Sequence, residues 1–159
     1  MTDPRIRSTT PGGLAGEGGA VPVRAPGFVS PPRGSVLLDK AYGPRTIMPA
    51  DGMAPIWPAD GTELDVPAAC QLRISGIGFD AIDPTALVFS YFSIRVNGQP
   101  QRGYERQPVA IGRCNNPGAV TLHVAGPAVV TLFMENGFPL MNWNYTARLV
   151  GWIYQEVET

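Results

Sequence analysis

A chain of 159 residues holds one domain with a real hydrophobic core, and it is too short for two unless each is marginal. Its 19 glycines and 17 prolines exclude long helices, and its 16% of charged residues, against roughly a quarter in ordinary domains, implies that part of the surface is covered. The net charge of −1 provides no global field to draw in nucleic acid or an anionic membrane, so neither is expected as a partner.

Residues 1–34 are dominated by Pro, Gly, Ser, Thr and Ala, with Pro11-Gly12-Gly13, Gly16-Glu17-Gly18-Gly19, Pro26-Gly27 and Pro31-Pro32 as successive breakers. Such a segment cannot bury enough apolar surface to offset its ordering entropy, so in isolation it is expected to be disordered and to be held in place by partner subunits. Within it, Val21-Pro22-Val23-Arg24 and Gly27-Phe28-Val29-Ser30 are short extended pieces suited to docking along a neighbour. Val21, Val23, Arg24, Phe28, Val29 and Arg33 are the candidate contacts of this arm. A plain flexible linker is the alternative. The first 45 residues carry six basic side chains against three acids, so the arm is mildly cationic and the remainder acidic. Eleven of the twelve basic residues are arginine, whose planar fork suits interfacial pairs, although a GC-rich genome explains the bias as well.

From residue 35 on, a single β-sandwich domain is expected to run to residue 159. Ser35-Val36-Leu37-Leu38, Arg45-Thr46-Ile47-Met48 and Ala54-Pro55-Ile56-Trp57 read as short strands, the last at an edge because of its proline. Between them, Pro49-Ala50-Asp51-Gly52 and Pro58-Ala59-Asp60-Gly61 are two turn signals nine residues apart. The main body is expected to begin near Ala69, with a partly alternating strand over 70–75 and a long β-branched and aromatic strand over 85–96 that Asn97-Gly98 closes as a hairpin. A further extended piece is expected at 108–111. Residues 119–125 and 128–135 flank Gly126-Pro127 as an antiparallel pair, and Asn136-Gly137 closes the second of them. The tail from Trp143 has Tyr145, Ala147, Leu149, Gly151 and Ile153 on one side and Val150, Trp152 and Tyr154 on the other, as in a covered strand. A short helix over 144–151 is the weaker alternative, because Thr146, Val150, Gly151 and Ile153 favour strand. Short strands with turns every 8 to 12 residues give an all-β fold, an antiparallel sandwich or jelly roll.

Chemistry is sparse. His123, the sole histidine, sits in an alternating strand with no neighbouring Ser or Cys and orienting acid, so a structural or surface role is expected. Cys70 and Cys114 have no Cys-x-x-Cys spacing, so free thiols and no zinc are expected. Asp51, Asp60, Asp65, Asp80 and Asp83 suit turn capping better than calcium, with no Asp-x-Asp-x-Asp-Gly run among them. Gly76-Ile77-Gly78-Phe79-Asp80-Ala81 has the glycine spacing of a dinucleotide turn but is followed by Asp83-Pro84 and a strand-like run instead of a helix. Asn144-Tyr145-Thr146 matches a glycosylation acceptor, which matters only in a secreted protein. No cofactor is expected. The opening Met-Thr-Asp-Pro-Arg-Ile-Arg has no apolar h-region, so synthesis in the cytoplasm is the expectation. Arg102, Tyr104 and Arg106, with Arg113 beyond, form a basic and aromatic loop of the type that anchors protein interfaces or stacks on sugars.

An extended Pro/Gly arm followed by a low-charge all-β body with few catalytic residue types resembles the decoration or cement proteins of tailed bacteriophage capsids. Val21-Pro22-Val23-Arg24 and residues 119–136 are the segments that carry this likeness. The resemblance implies a structural virion protein on the capsid surface and no enzyme. Its partners are then the major capsid protein or other virion subunits, and it is a homo-oligomer, with a trimer favoured. Residues 1–34 become the lattice-gripping element and the body a clamp between capsomers. A tail, baseplate or portal-region adaptor and a carbohydrate-binding module are the alternatives.

Overall fold

The computed structural model describes residues 31–56 and 63–155. These form an antiparallel β-sandwich, as the turn spacing leads one to expect. The first sheet contains β1 (Val36–Ile47), β4 (Cys70–Ala81), β8 (Gly118–Ala125) and β10 (Trp143–Gln155), in the order β1-β10-β4-β8. The second is built on β9 (Ala128–Asn136) and β5 (Ser90–Val96), with β2 (Met53–Pro55) and β3 (Leu64–Val66) on β9, and β6 (Gln99–Pro100) and β7 (Gln107–Pro108) on β5.

Alternation fixes which side chains meet between the sheets. Val120, Leu122 and Val124 of β8 are buried while their neighbours Thr121 and His123 are exposed. In β10, Tyr145, Ala147 and Leu149 enter the core. They join Leu72, Ile74, Ile77 and Phe79 of β4, and Phe92, Ile94, Leu132 and Met134 from the second sheet. Phe79 and Phe92 join the layers, their centroids 5.0 Å apart. A polar tie crosses the same gap: the Ser90 hydroxyl lies 2.6 Å from the Ala86 carbonyl and 2.6 Å from the Tyr145 hydroxyl. Since serine has one proton and gives it to Ala86, the tyrosine donates to Ser90. Burial raises the Tyr145 pKa against the lowering effect of that bond, which keeps the phenol in its donor form.

Four local expectations are corrected. Residues 119–125 and 128–135 pair with β4 and β5 respectively, and not with each other. The run 85–96 is not one strand: Thr85–Val88 forms a helical turn, α1, before β5 begins at Ser90. The Asp83 carboxylate accepts the Thr85 N–H at 2.9 Å, Ala86 N–H donates to the Asp83 carbonyl, and Ala86 and Leu87 are buried. Capping and burial together outweigh β propensity here. The pieces at 35–38 and 45–48 belong to one long strand, β1, whose register on β10 shifts between Tyr42 and Arg45. At 108–111, the extended pairing stops at Pro108 and Val109–Ile111 is a 3-10 turn.

The glycines of 76–78 lie inside β4, not after it. A Cβ on Gly78 would stand 2.0 Å from the Arg113 carbonyl oxygen, and one on Gly76 would meet Val150 at 2.8 Å and Pro117 at 3.2 Å. The segment before β8 therefore packs directly on the outer face of the strand, where only a bare backbone leaves room.

Candidate partner-binding surfaces

The outer face of the second sheet is lined by alternate residues of its two long strands, with Tyr91 opposite Glu135, Ser93 opposite Phe133 and Arg95 opposite Thr131. Two guanidinium groups lie on aromatic rings there. Arg106 sits 3.6 Å from the Tyr91 centroid and donates to both Glu135 oxygens, at 3.2 and 2.9 Å. Arg95 sits 3.9 Å from the Phe133 centroid. Contact with the ring restricts each guanidinium, and for Arg106 the carboxylate fixes its fork, so these are held cations rather than freely rotating charges. The hydrogen bonds and charge of Glu135 hold the Arg106 pKa above its usual value. Ser93 Oγ and Arg95 Nε are buried beside them and have no hydrogen-bond partner among the described residues.

The three loop residues singled out from the sequence have different roles. Arg106 belongs to this face. Tyr104 is half-buried against the core, and its hydroxyl meets the Thr121 carbonyl at 3.0 Å and the Thr121 N–H at 3.2 Å, tying the loop between β6 and β7 to β8. Arg102 is exposed at the turn between them. Arg113 points elsewhere, at 2.6 Å from Asp80. Of the arm candidates, Arg33 is exposed and lines a hollow with Val36, Cys70, Ile153 and Tyr154 at the first sheet. Val21, Val23, Arg24, Phe28 and Val29 lie outside the described residues, as do Trp57 and Asp60. Sequence reasoning missed Tyr91, Arg95, Phe133 and Glu135. The available signal was the strict alternation of residues 128–136, which turns Phe133 and Glu135 outward together.

Several other ionisable groups lie in local pairings. His123 lies on the outer face of the first sheet in a cross-strand row of Leu37, Trp152, Arg73 and His123. Arg73 sits 5.7 Å from the Trp152 ring, and burial together with the Arg73 charge lowers the His123 pKa. Arg148 donates to both oxygens of Asp39 at 2.8 Å and to the Cys114 carbonyl at 2.9 Å. Burial pushes the Cys114 thiol up to about 11, opposed by a hydrogen bond with Thr146, so it is no nucleophile near neutral pH. Among the described residues, no group of three or more His, Cys, Asp or Glu side chains is placed to hold a metal ion. Comparison with family models, with curated proteins and with solved structures returns no match.

Proposed function

We propose that this chain is a structural virion protein of the capsid-decoration type, which binds a protein lattice through its N-terminal arm and the outer face of its second sheet. The observation that carries this reading is the arrangement of Arg106 on Tyr91 and Arg95 on Phe133. Arginine and tyrosine are residue types that dominate interface energetics, and here the guanidinium groups are already held, which lowers the ordering cost of binding. A non-enzymatic role accords with the placement of the titratable groups. Asp39, Asp80 and Glu135 are each paired with an arginine, and the Cys114 thiol is held protonated.

Arm and body engaging different subunits raise one another's effective concentration, so modest contacts suffice for occupancy. Two further observations weigh against a sugar platform: Trp143 and Trp152 are buried, and the Tyr104 hydroxyl is engaged by Thr121. The test is a titration of full-length chain, wild type and Arg106→Glu, onto emptied capsid shells of the same virus. Saturable binding that Arg106→Glu weakens by about ten-fold or more supports the reading. Wild-type chain that fails to bind, or a variant that binds equally well, overturns it.

A further inference from the structure

Six of the large apolar side chains that face solvent gather at one end of the sandwich. They are Met48, Ile82, Val88, Phe89, Leu140 and Met141, with exposures from 42% at Phe89 to 84% at Ile82. Strand register places them together. Ile47 at the end of β1 pairs with Trp143 at the start of β10, Ala81 at the end of β4 pairs with Tyr145, and Asn136 at the end of β9 pairs with Ser90 at the start of β5. The three connections 48–52, 82–89 and 137–142 therefore emerge side by side.

This end is built, not frayed. Phe89, Phe138 and Trp143 form a ladder with centroids 5.4 and 4.8 Å apart, and Gly137 N–H donates to the Phe89 carbonyl at 3.0 Å. The Asn136 amide donates to the carbonyls of Ile47 and Met141 at 3.0 and 2.7 Å. Each connection also contains a proline, Pro49, Pro84 or Pro139, which fixes one φ angle. Apolar side chains displayed on such a frame lose little entropy when covered.

Charge narrows the choice of occupant. The three connections contain no Lys or Arg, and their two acids are already engaged: Asp51 accepts the Met48 N–H at 2.8 Å and Asp83 the Thr85 N–H at 2.9 Å. Anionic lipid and nucleic acid find no cation here. The six residues expose on the order of 700 Å² together, more than the roughly 300–600 Å² of a typical monomer's largest patch and close to the ~800 Å² that each partner buries in a standard interface. Both carboxylates of the tip are turned onto local backbone N–H groups, so a second copy meeting the same apolar patch across a two-fold axis brings apolar side chains, not opposed free charges, into contact.

We infer that two copies of this chain associate end to end through the apolar tip formed by the connections 48–52, 82–89 and 137–142. The pairing does not rest on the virion reading and is tested without a capsid. Full-length chain is followed by sedimentation velocity across roughly 0.1–100 µM, a range that brackets weak standard-size interfaces. The wild type is expected to pass from monomer to dimer, and Ile82→Glu and Leu140→Glu, at two of the most exposed positions, are each expected to weaken the dimer at least ten-fold with unchanged thermal unfolding of the dilute monomer. Leu37→Glu, 76% exposed at the other end of the first sheet, is expected to leave it intact. A wild type that stays monomeric, a trimer, a dimer insensitive to both tip variants, or one equally sensitive to Leu37→Glu overturns the inference. So does flotation of the wild type with neutral phosphatidylcholine vesicles that Leu140→Glu abolishes, because the tip then faces lipid.

Discussion

Replacing Asn136 by alanine removes the clamp that closes one end of the sandwich. The side chain is 3% exposed and makes three hydrogen bonds. Its amide donates to Ile47 and Met141, and its oxygen accepts the Phe138 N–H at 3.0 Å. At about 1 kcal/mol net per bond, and more for any partner left buried and unsatisfied, Asn136→Ala is expected to cost roughly 3 kcal/mol. For a body of this size that corresponds to a fall of roughly 10 °C in Tm, or a urea midpoint lower by about 1–2 M. Asn136→Asp sharpens the test. At neutral pH its carboxylate presents only acceptors to the Ile47 and Met141 carbonyls and should be worse than alanine, whereas acidification restores one donor and part of the loss. Urea unfolding of the full-length chain followed by tryptophan fluorescence reads both effects. A loss below about 0.5 kcal/mol for Asn136→Ala, or an aspartate variant no worse than alanine at neutral pH, would refute the clamp.

Gly78→Ala drives a methyl into the Arg113 backbone and should cost about 3 kcal/mol or more, while Gly103→Ala, with open space but φ +86°, should cost about 1–2 kcal/mol, both read by urea unfolding. Cys114, raised from 9.0 to about 11, should be alkylated near neutral pH on the order of 100-fold more slowly in the folded chain than in urea; equal rates by peptide mass mapping would contradict its burial. Hydrogen bonds from Arg148 hold the Asp39 carboxyl below its usual 3.8, against burial and with help from the Arg148 charge. Burial pushes Asp80 up, but bonds from Arg113 and Cys114 and the Arg113 charge outweigh it. A depressed folded pKa gives stability that is present above the unfolded value and lost as pH falls through the folded one, so Asp39→Asn with Asp80→Asn should flatten the stability curve below about pH 4 and leave its slope unchanged above about pH 5.

The fold class was legible because it follows from local periodicity. The alternation of residues 119–125 turns Leu122 and Val124 away from His123, and both are buried, whereas 143–153 is apolar on both sides and its core side is set by pairing. Gly126-Pro127 separates two strands, but the antiparallel pair expected across it does not form, because they pair with β4 and β5 in different sheets. What local pattern does not carry is contact from afar. Gly78 reads as part of a dinucleotide-type glycine spacing until Arg113 is seen lying on it, and Asn136-Gly137 reads as closing a strand although the asparagine works as a clamp reaching back to Ile47. The outer surface was only partly visible. Arg106 stands out in the sequence as a basic residue beside an aromatic one, but the ring it uses is Tyr91 and its acid is Glu135, 29 residues away. Two strands must pair before that triad exists.

The most direct test of the lattice-docking account is cosedimentation of the full-length chain with emptied capsid shells at increasing input. The account predicts that bound chain rises to a plateau at a fixed ratio to the major capsid protein, and that Arg106→Glu lowers the affinity without lowering the Tm appreciably. Chain that remains in the supernatant at every input, or that pellets without saturation, would contradict it.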